Sequence, residues 1–190
     1  MEVNAMGEMP EYRFKLVVLG EWGVGKTSLV RNFIEQKFAE DYLPTLGVNV
    51  LVKDLDVNFN RQDIKVSLSI WDLAGQKEFK AMAPAYHAGA TGAFFVGDLS
   101  RLLSFDELPT LYEDLVRNVK KTIPTILLAN KSDLTHYVAD DYLDEVASQV
   151  GALKWFKTSA MTGENVQDAF QMIAEKMLEE YLGPESSISE

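Results

Sequence analysis

A chain of 190 residues, 47% apolar and 25% charged, is long enough for one domain with a proper hydrophobic core. A formal net charge of −11 argues against nucleic acid or anionic lipid as a direct partner, and no basic run exceeds Lys120-Lys121. The absence of cysteine excludes disulfides, thiolate nucleophiles, Cys-ligated metals and cysteine-borne lipids, so no direct lipid anchor is expected. "MEVNAMGEMP" lacks the regions of a signal peptide, and no stretch nears the roughly 18 apolar residues of a membrane span. The expectation is a cytosolic protein that reaches membranes, if at all, through partners.

Residues 1–11 read as a flexible lead-in. "RFKLVVLG" is an apolar run ending in glycine, a buried strand over Arg13 to Leu19. "KTSLVRNFIEQ" places Leu29, Val30, Phe33 and Ile34 on one helical face. "VNVLVKDLDV" and "IKVSLSIW" read as strands around a turn at "NFNRQ". In the second, Ile64, Val66, Leu68 and Ile70 alternate with Lys65, Ser67 and Ser69, the period of a half-exposed strand at or near a sheet edge. Then follow "GAFFVGD" (strand), "SFDELPTLYEDLVRNVKK" (mostly helix), "TILLAN" (strand), "ADDYLDEVASQVG" (a helix ended by glycine), "KWFKTSA" (strand) and "ENVQDAFQMIAEKMLEEYL" (helix). The last carries Val166, Phe170, Ile173, Met177 and Tyr181 at helical spacing, a core-packing stripe. The tail, 183–190, is acidic and reads as disordered. Alternating strands and helices with continuous apolar runs predict an α/β fold: a mostly parallel sheet with helices on both faces and ligands at the carboxyl ends of its strands.

Chemistry collects in those loops. Gly20, Gly25, Lys26 and Thr27 complete G-x-x-x-x-G-K-[ST] between a strand and a helix. The glycines let backbone N–H groups face phosphates, and the helix start adds free N–H groups and a positive dipole end. Lys26 reaches the β- and γ-phosphates, and the Thr27 hydroxyl suits Mg²⁺. In "WDLAG", Asp72 offers a carboxylate to the metal's outer shell, Gly75 offers an N–H to a γ-phosphate, and Gln76 is placed to orient a water. "NKSD", Asn130 to Asp133, follows the strand "TILLA". The Asp133 carboxylate suits two adjacent ring donors, which guanine has and adenine lacks. Lys131 can lay its stem over the ring. "TSA", Thr158 to Ala160, lies at the loop where a backbone N–H meets the guanine O6.

With these motifs in this order, the chain resembles a small GTPase of the Ras superfamily over about residues 12–182, and "WDLAGQKEF" with "YHAGATGAFFVGD" resembles the Rab-like branch most. The resemblance implies the P-loop NTPase fold with a six-stranded sheet and five helices, GTP and GDP as ligands, Mg²⁺, and a monomer. It assigns nucleotide contacts to Glu21, Gly23, Val24, Gly25, Lys26, Thr27, Ser28, Gly75, Asn130, Lys131, Asp133, Ser159, Ala160 and Met161. Phe38 packs on the guanine and Tyr42 covers the phosphates. Thr45 joins Thr27 on Mg²⁺, with Asp72 behind them. Gln76, Lys26 and Thr45 carry the catalytic roles. Two switch segments, 38–48 and 72–87, present the nucleotide state to effectors, exchange factors and GTPase-activating proteins. Met161 stands where the family has lysine, and its thioether chain can still pack on the base.

Trp22 departs most from the family, occupying a glycine position of Ras proteins near the γ-phosphate. Three readings stay open: an indole lying outward across the switches, one crowding the space of Gln76 and of an activator's arginine, or part of a partner interface. Arg13, Arg31, Arg61, Arg101 and Arg117 read as lying on strands, helices or distal turns, so no arginine finger in cis is expected and turnover is slow. His87 and His136 read as surface or helix-end residues. The alternative to a cycling switch is a nucleotide-locked interaction module. "NKSD" argues against a third reading, a P-loop ATPase or kinase.

Overall fold

The computed structural model describes residues 11–36, 47–73 and 83–183. Six strands form one sheet: β1 (Glu11–Leu19), β2 (Val48–Phe59), β3 (Gln62–Leu73), β4 (Gly92–Asp98), β5 (Thr125–Asn130) and β6 (Lys154–Thr158), in the order β2-β3-β1-β4-β5-β6. All neighbours are parallel except the β2–β3 hairpin. The helices are α1 (Lys26–Glu35), α2 (Ala83–His87), α3 (Leu108–Val119), α4 (Asp140–Gln149) and α5 (Val166–Leu182), with a 3-10 turn at Leu102–Phe105. The expected α/β architecture is therefore present, and β1 begins two residues earlier than the apolar run suggested. None of the described helices is long and apolar enough to cross a membrane.

β4 and β5 are buried along their whole lengths, because helices cover both faces of the central sheet. Period-two alternation divides them. Leu16, Val18, Phe94, Val96, Ile126 and Leu128 face α1 and α5. Val17, Leu19, Ala93, Phe95, Leu127 and Ala129 face the α3–α4 side. Phe170 of α5 ties the first core together, stacking on Phe33 at 3.8 Å and meeting Phe94 edge-on at 4.8 Å.

β3 lies one strand in from the edge, as its alternation suggested. The hairpin turns on Asn60 and Arg61, both at positive φ, the two-residue geometry that matches strand twist. The stripe of α5 holds to Met177 and then fails. Tyr181 is exposed, and its ring only edges against Tyr12 and Phe14 of β1.

Candidate functional site

The carboxyl ends of β1, β3, β4, β5 and β6 deliver Gly20, Asp72, Asp98, Asn130 and Thr158 to one rim of the sheet. The glycine-rich loop leaves β1 there and enters α1. Gly25 takes φ +99, and a Cβ on it would stand 2.3 Å from the Asn130 side-chain nitrogen. Only glycine combines that conformation with that approach. Gly25 has no side chain with which to cap α1.

The loop's carbonyls are all occupied. The Lys26 ammonium donates to Gly20 O and Glu21 O, each at 2.9 Å. Arg101 Nη2 donates to Trp22 O at 3.0 Å. Lys131 Nζ donates to Gly23 O at 2.9 Å, and Asn130 Nδ2 to Val24 O at 2.8 Å. Five successive carbonyls thus face side-chain donors, which leaves the N–H side of the peptide units for a ligand. Lys26 is buried, and burial pushes its ammonium down to about 8, against the pull of Asp72 and Glu21 and with a further push from Arg101. A buried cation on backbone carbonyls is a cation in want of an anion.

Thr27 donates its hydroxyl to Asp72 Oδ2 at 2.5 Å. Asp72 is wholly buried, burial raises its pKa, and its Oδ1 has no hydrogen-bond partner among the described residues. An orphaned carboxylate oxygen behind a threonine hydroxyl is an all-oxygen donor set. It fits a hard divalent cation such as Mg²⁺, which keeps several waters and takes few protein ligands.

On the base side, Asn130 is a strut. It is buried; its Oδ1 accepts from the Ala160 N–H at 3.2 Å and the Thr158 hydroxyl at 3.3 Å while its amide holds Val24. Ser159, also buried, donates to Asp133 Oδ1 at 2.5 Å and accepts from the Met161 and Thr162 N–H groups. One Asp133 oxygen is thereby fixed in place. Lys131 starts from a left-handed backbone, φ 67°, and its stem crosses from the base loop to Gly23. Met161 is exposed.

The predicted residues of the described segments therefore gather at one rim: Glu21, Gly23, Val24, Gly25, Lys26, Thr27, Ser28, Asp72, Asn130, Lys131, Asp133, Ser159, Ala160 and Met161. Phe38, Tyr42, Thr45, Gly75 and Gln76 lie outside the described residues. In the segment Thr158 to Ala160, where a backbone N–H was expected to meet a guanine O6, the Ala160 N–H donates to Asn130 Oδ1. Trp22 is 46% exposed.

Two functional residues escaped sequence reasoning. Asp98, wholly buried, takes hydrogen bonds from the Ser100 N–H and hydroxyl, Arg101 Nε and Lys131 Nζ. Burial would raise its pKa, but the bonds from Lys131 and Ser100 outweigh that and hold the carboxyl below its ordinary value. Its signal was an Asp closing an apolar strand with a serine two residues on, an Asx-turn pattern. Arg101, read as lying on a distal turn, instead touches the phosphate loop. His87 ends α2 as expected but is buried, not at the surface: Asn118 donates to its Nδ1 at 3.1 Å, and burial pushes its pKa down.

The Ras family model matches residues 15–179. The chain is 37% identical over 181 residues to Ras-related protein Rab-32 of Mus musculus, covering 92% of this chain and 80% of that one. It is 36% identical to Ras-related protein Rab-4A of Rattus norvegicus (94% and 80% covered) and 36% identical to Ras-related protein RABG3a of Arabidopsis thaliana (86% and 82%).

Proposed function

Because the chain belongs to the Ras family, as a Rab-like small GTPase, we propose that it is a guanine-nucleotide switch that slowly hydrolyses GTP to GDP and phosphate. The observation that carries this is the capture of all five carbonyls from Gly20 to Val24 by side chains, two of them on the base loop. A loop so held presents its N–H groups to phosphates, and the same ties set its distance from the base site.

Lys26 holds the Gly20 and Glu21 carbonyls with two of its three N–H donors and turns the third to the β- and γ-phosphates. The N–H groups at the start of α1 receive phosphate oxygens along the helix dipole. Asp133, steadied by Ser159, accepts from the two adjacent donors of guanine, and the Lys131 stem lies along the ring. Thr27, Asp72 and Thr45 would hold Mg²⁺, which supplies charge neutralisation at the phosphates when bound. Gln76 orients the attacking water, and no side-chain base is required. Intrinsic turnover is on the order of 10⁻⁴ to 10⁻³ s⁻¹, the range for a Ras protein without an activator. Loss of the γ-phosphate releases the segments 38–48 and 72–87 and changes the surface offered to effectors, exchange factors and activating proteins.

A second reading is a hydrolysis-deficient module locked by Trp22. It draws support from the hydrogen bond from Arg101 that fixes the Trp22 backbone in the glycine-rich loop. The test is single-turnover phosphate release from GTP- and Mg²⁺-loaded protein, with Gln76→Leu and Trp22→Gly beside it. Slow release lost in Gln76→Leu supports the cycling switch. Retained GTP with no release, restored by Trp22→Gly, supports the locked module. Purified protein carrying adenine nucleotide would refute both.

A further inference from the structure

Each peptide unit that turns its N–H toward a phosphate turns its carbonyl the other way, and that carbonyl needs a donor. Four of the five donor contacts come from Lys26, Asn130 and Lys131, residues of the nucleotide motifs themselves. The fifth, at the crown of the loop, comes from Arg101, which belongs to none of them.

Arg101 is held firmly. Its N–H donates to Asp98 O at 2.8 Å, and its carbonyl accepts from the Ser104 hydroxyl at 2.6 Å. Ser104 also accepts from the Asp98 N–H at 2.8 Å. The 3-10 turn sits tight against β4 because Gly97 has no side chain; a Cβ there would lie 2.3 Å from the Phe105 ring. From this base the guanidinium spreads over three acceptors: Trp22 O at 3.0 Å, Asp98 Oδ2 at 3.1 Å and the Glu21 carboxylate at 3.6 Å. Asp98 Oδ2 also takes Lys131 Nζ at 2.6 Å, so one buried oxygen anchors two tethers of the loop. The Glu21 contact joins side chains about 40% exposed and contributes little by itself. The carbonyl and the buried carboxylate carry the tether.

We infer that Arg101 is a positioning residue for the nucleotide: it holds the crown of the phosphate loop closed and so slows nucleotide release. The inference rests on the proposed guanine-nucleotide binding. A planar fork suits three acceptors in different directions, whereas the compact ammonium of lysine cannot span them.

The experiment is release of fluorescent GDP, with Mg²⁺ and excess unlabelled GDP, from the unmodified protein, Arg101→Ala and Arg101→Lys. Guanosine affinity is measured alongside, since guanosine lacks phosphates. Arg101→Ala is expected to release GDP about tenfold faster, Arg101→Lys at an intermediate rate, and all three to bind guanosine equally. An unchanged rate in Arg101→Ala overturns the tether. A parallel loss of guanosine affinity overturns it by assigning Arg101 to general stability. A wild-type rate in Arg101→Lys overturns it in favour of charge alone. If the unmodified protein retains no GDP, the switch reading falls and the tether with it; retained GDP with an unchanged Arg101→Ala rate removes the tether only.

Discussion

The phosphate loop and the base loop lie on the same rim but are held by different chemistry. The phosphate loop is gripped by Lys26, Arg101 and Lys131, three cations on backbone carbonyls, with one amide from Asn130. The base loop is gripped by neutral groups: the Asn130 amide, the Ser159 and Thr158 hydroxyls, and the Ala160 N–H. Charged donors make stronger hydrogen bonds, but their strength depends on protonation and, at the exposed Arg101, on salt. The base-loop donors carry no charge, so their bonds do not depend on the donor's protonation, even where Ser159 donates to the Asp133 carboxylate.

Breaking the charged side at its centre has the largest expected effect. Lys26→Met removes the buried cation that faces the phosphates and orphans two carbonyls. GDP affinity falls on the order of a thousandfold, about 4 kcal/mol, by titration calorimetry. Next is Asn130→Ala, which cuts the neutral one of the two struts, Asn130 and Lys131, that join the loops. Orphaning the Val24 carbonyl and the Ala160 N–H costs about 3 kcal/mol, and both GDP affinity and the thermal midpoint fall. Asp133→Asn touches the base side alone. It swaps an acceptor for a donor against guanine and weakens GDP by about 2 kcal/mol, while the thermal midpoint of the nucleotide-free protein stays put.

The smallest effect, pH, separates the two regions without mutation. Free Lys26 sits near 8, and phosphates draw its pKa up, so GDP binding takes up a proton once the free protein has lost it. Affinity is flat below pH 7 and falls about tenfold by pH 9, with uptake approaching one proton in buffers of differing ionisation enthalpy. The Asn130–Ser159 network predicts no such slope for guanosine below pH 8. A slope for both ligands would remove the distinction. The same depressed pKa means that the unfolded chain binds more protons between about 8 and 10.5, so Lys26 adds to the stability of the nucleotide-free fold as pH rises through that window.

Local chemistry made much of this molecule legible in the amino-acid order. The continuous apolar runs of β4 and β5 declared a sheet covered on both faces, and the glycine-rich loop declared a phosphate cradle, because backbone conformation and helix-start chemistry are decided within a few residues. "NKSD" could be read for the same reason. Tertiary structure alone decided how these parts hold one another. Nothing in "NKSD" says that Asn130 is a strut to Val24, 106 residues away, and nothing near Arg101 announces a carbonyl 79 residues earlier. Tyr181 kept the helical spacing of a core residue yet stays exposed, with only a ring edge against Tyr12 and Phe14 of β1. Periodicity reports which face a residue shares with its neighbours in sequence. Which distant carbonyl a side chain will satisfy depends on how strands order themselves in the sheet, and that is settled only when the whole core packs.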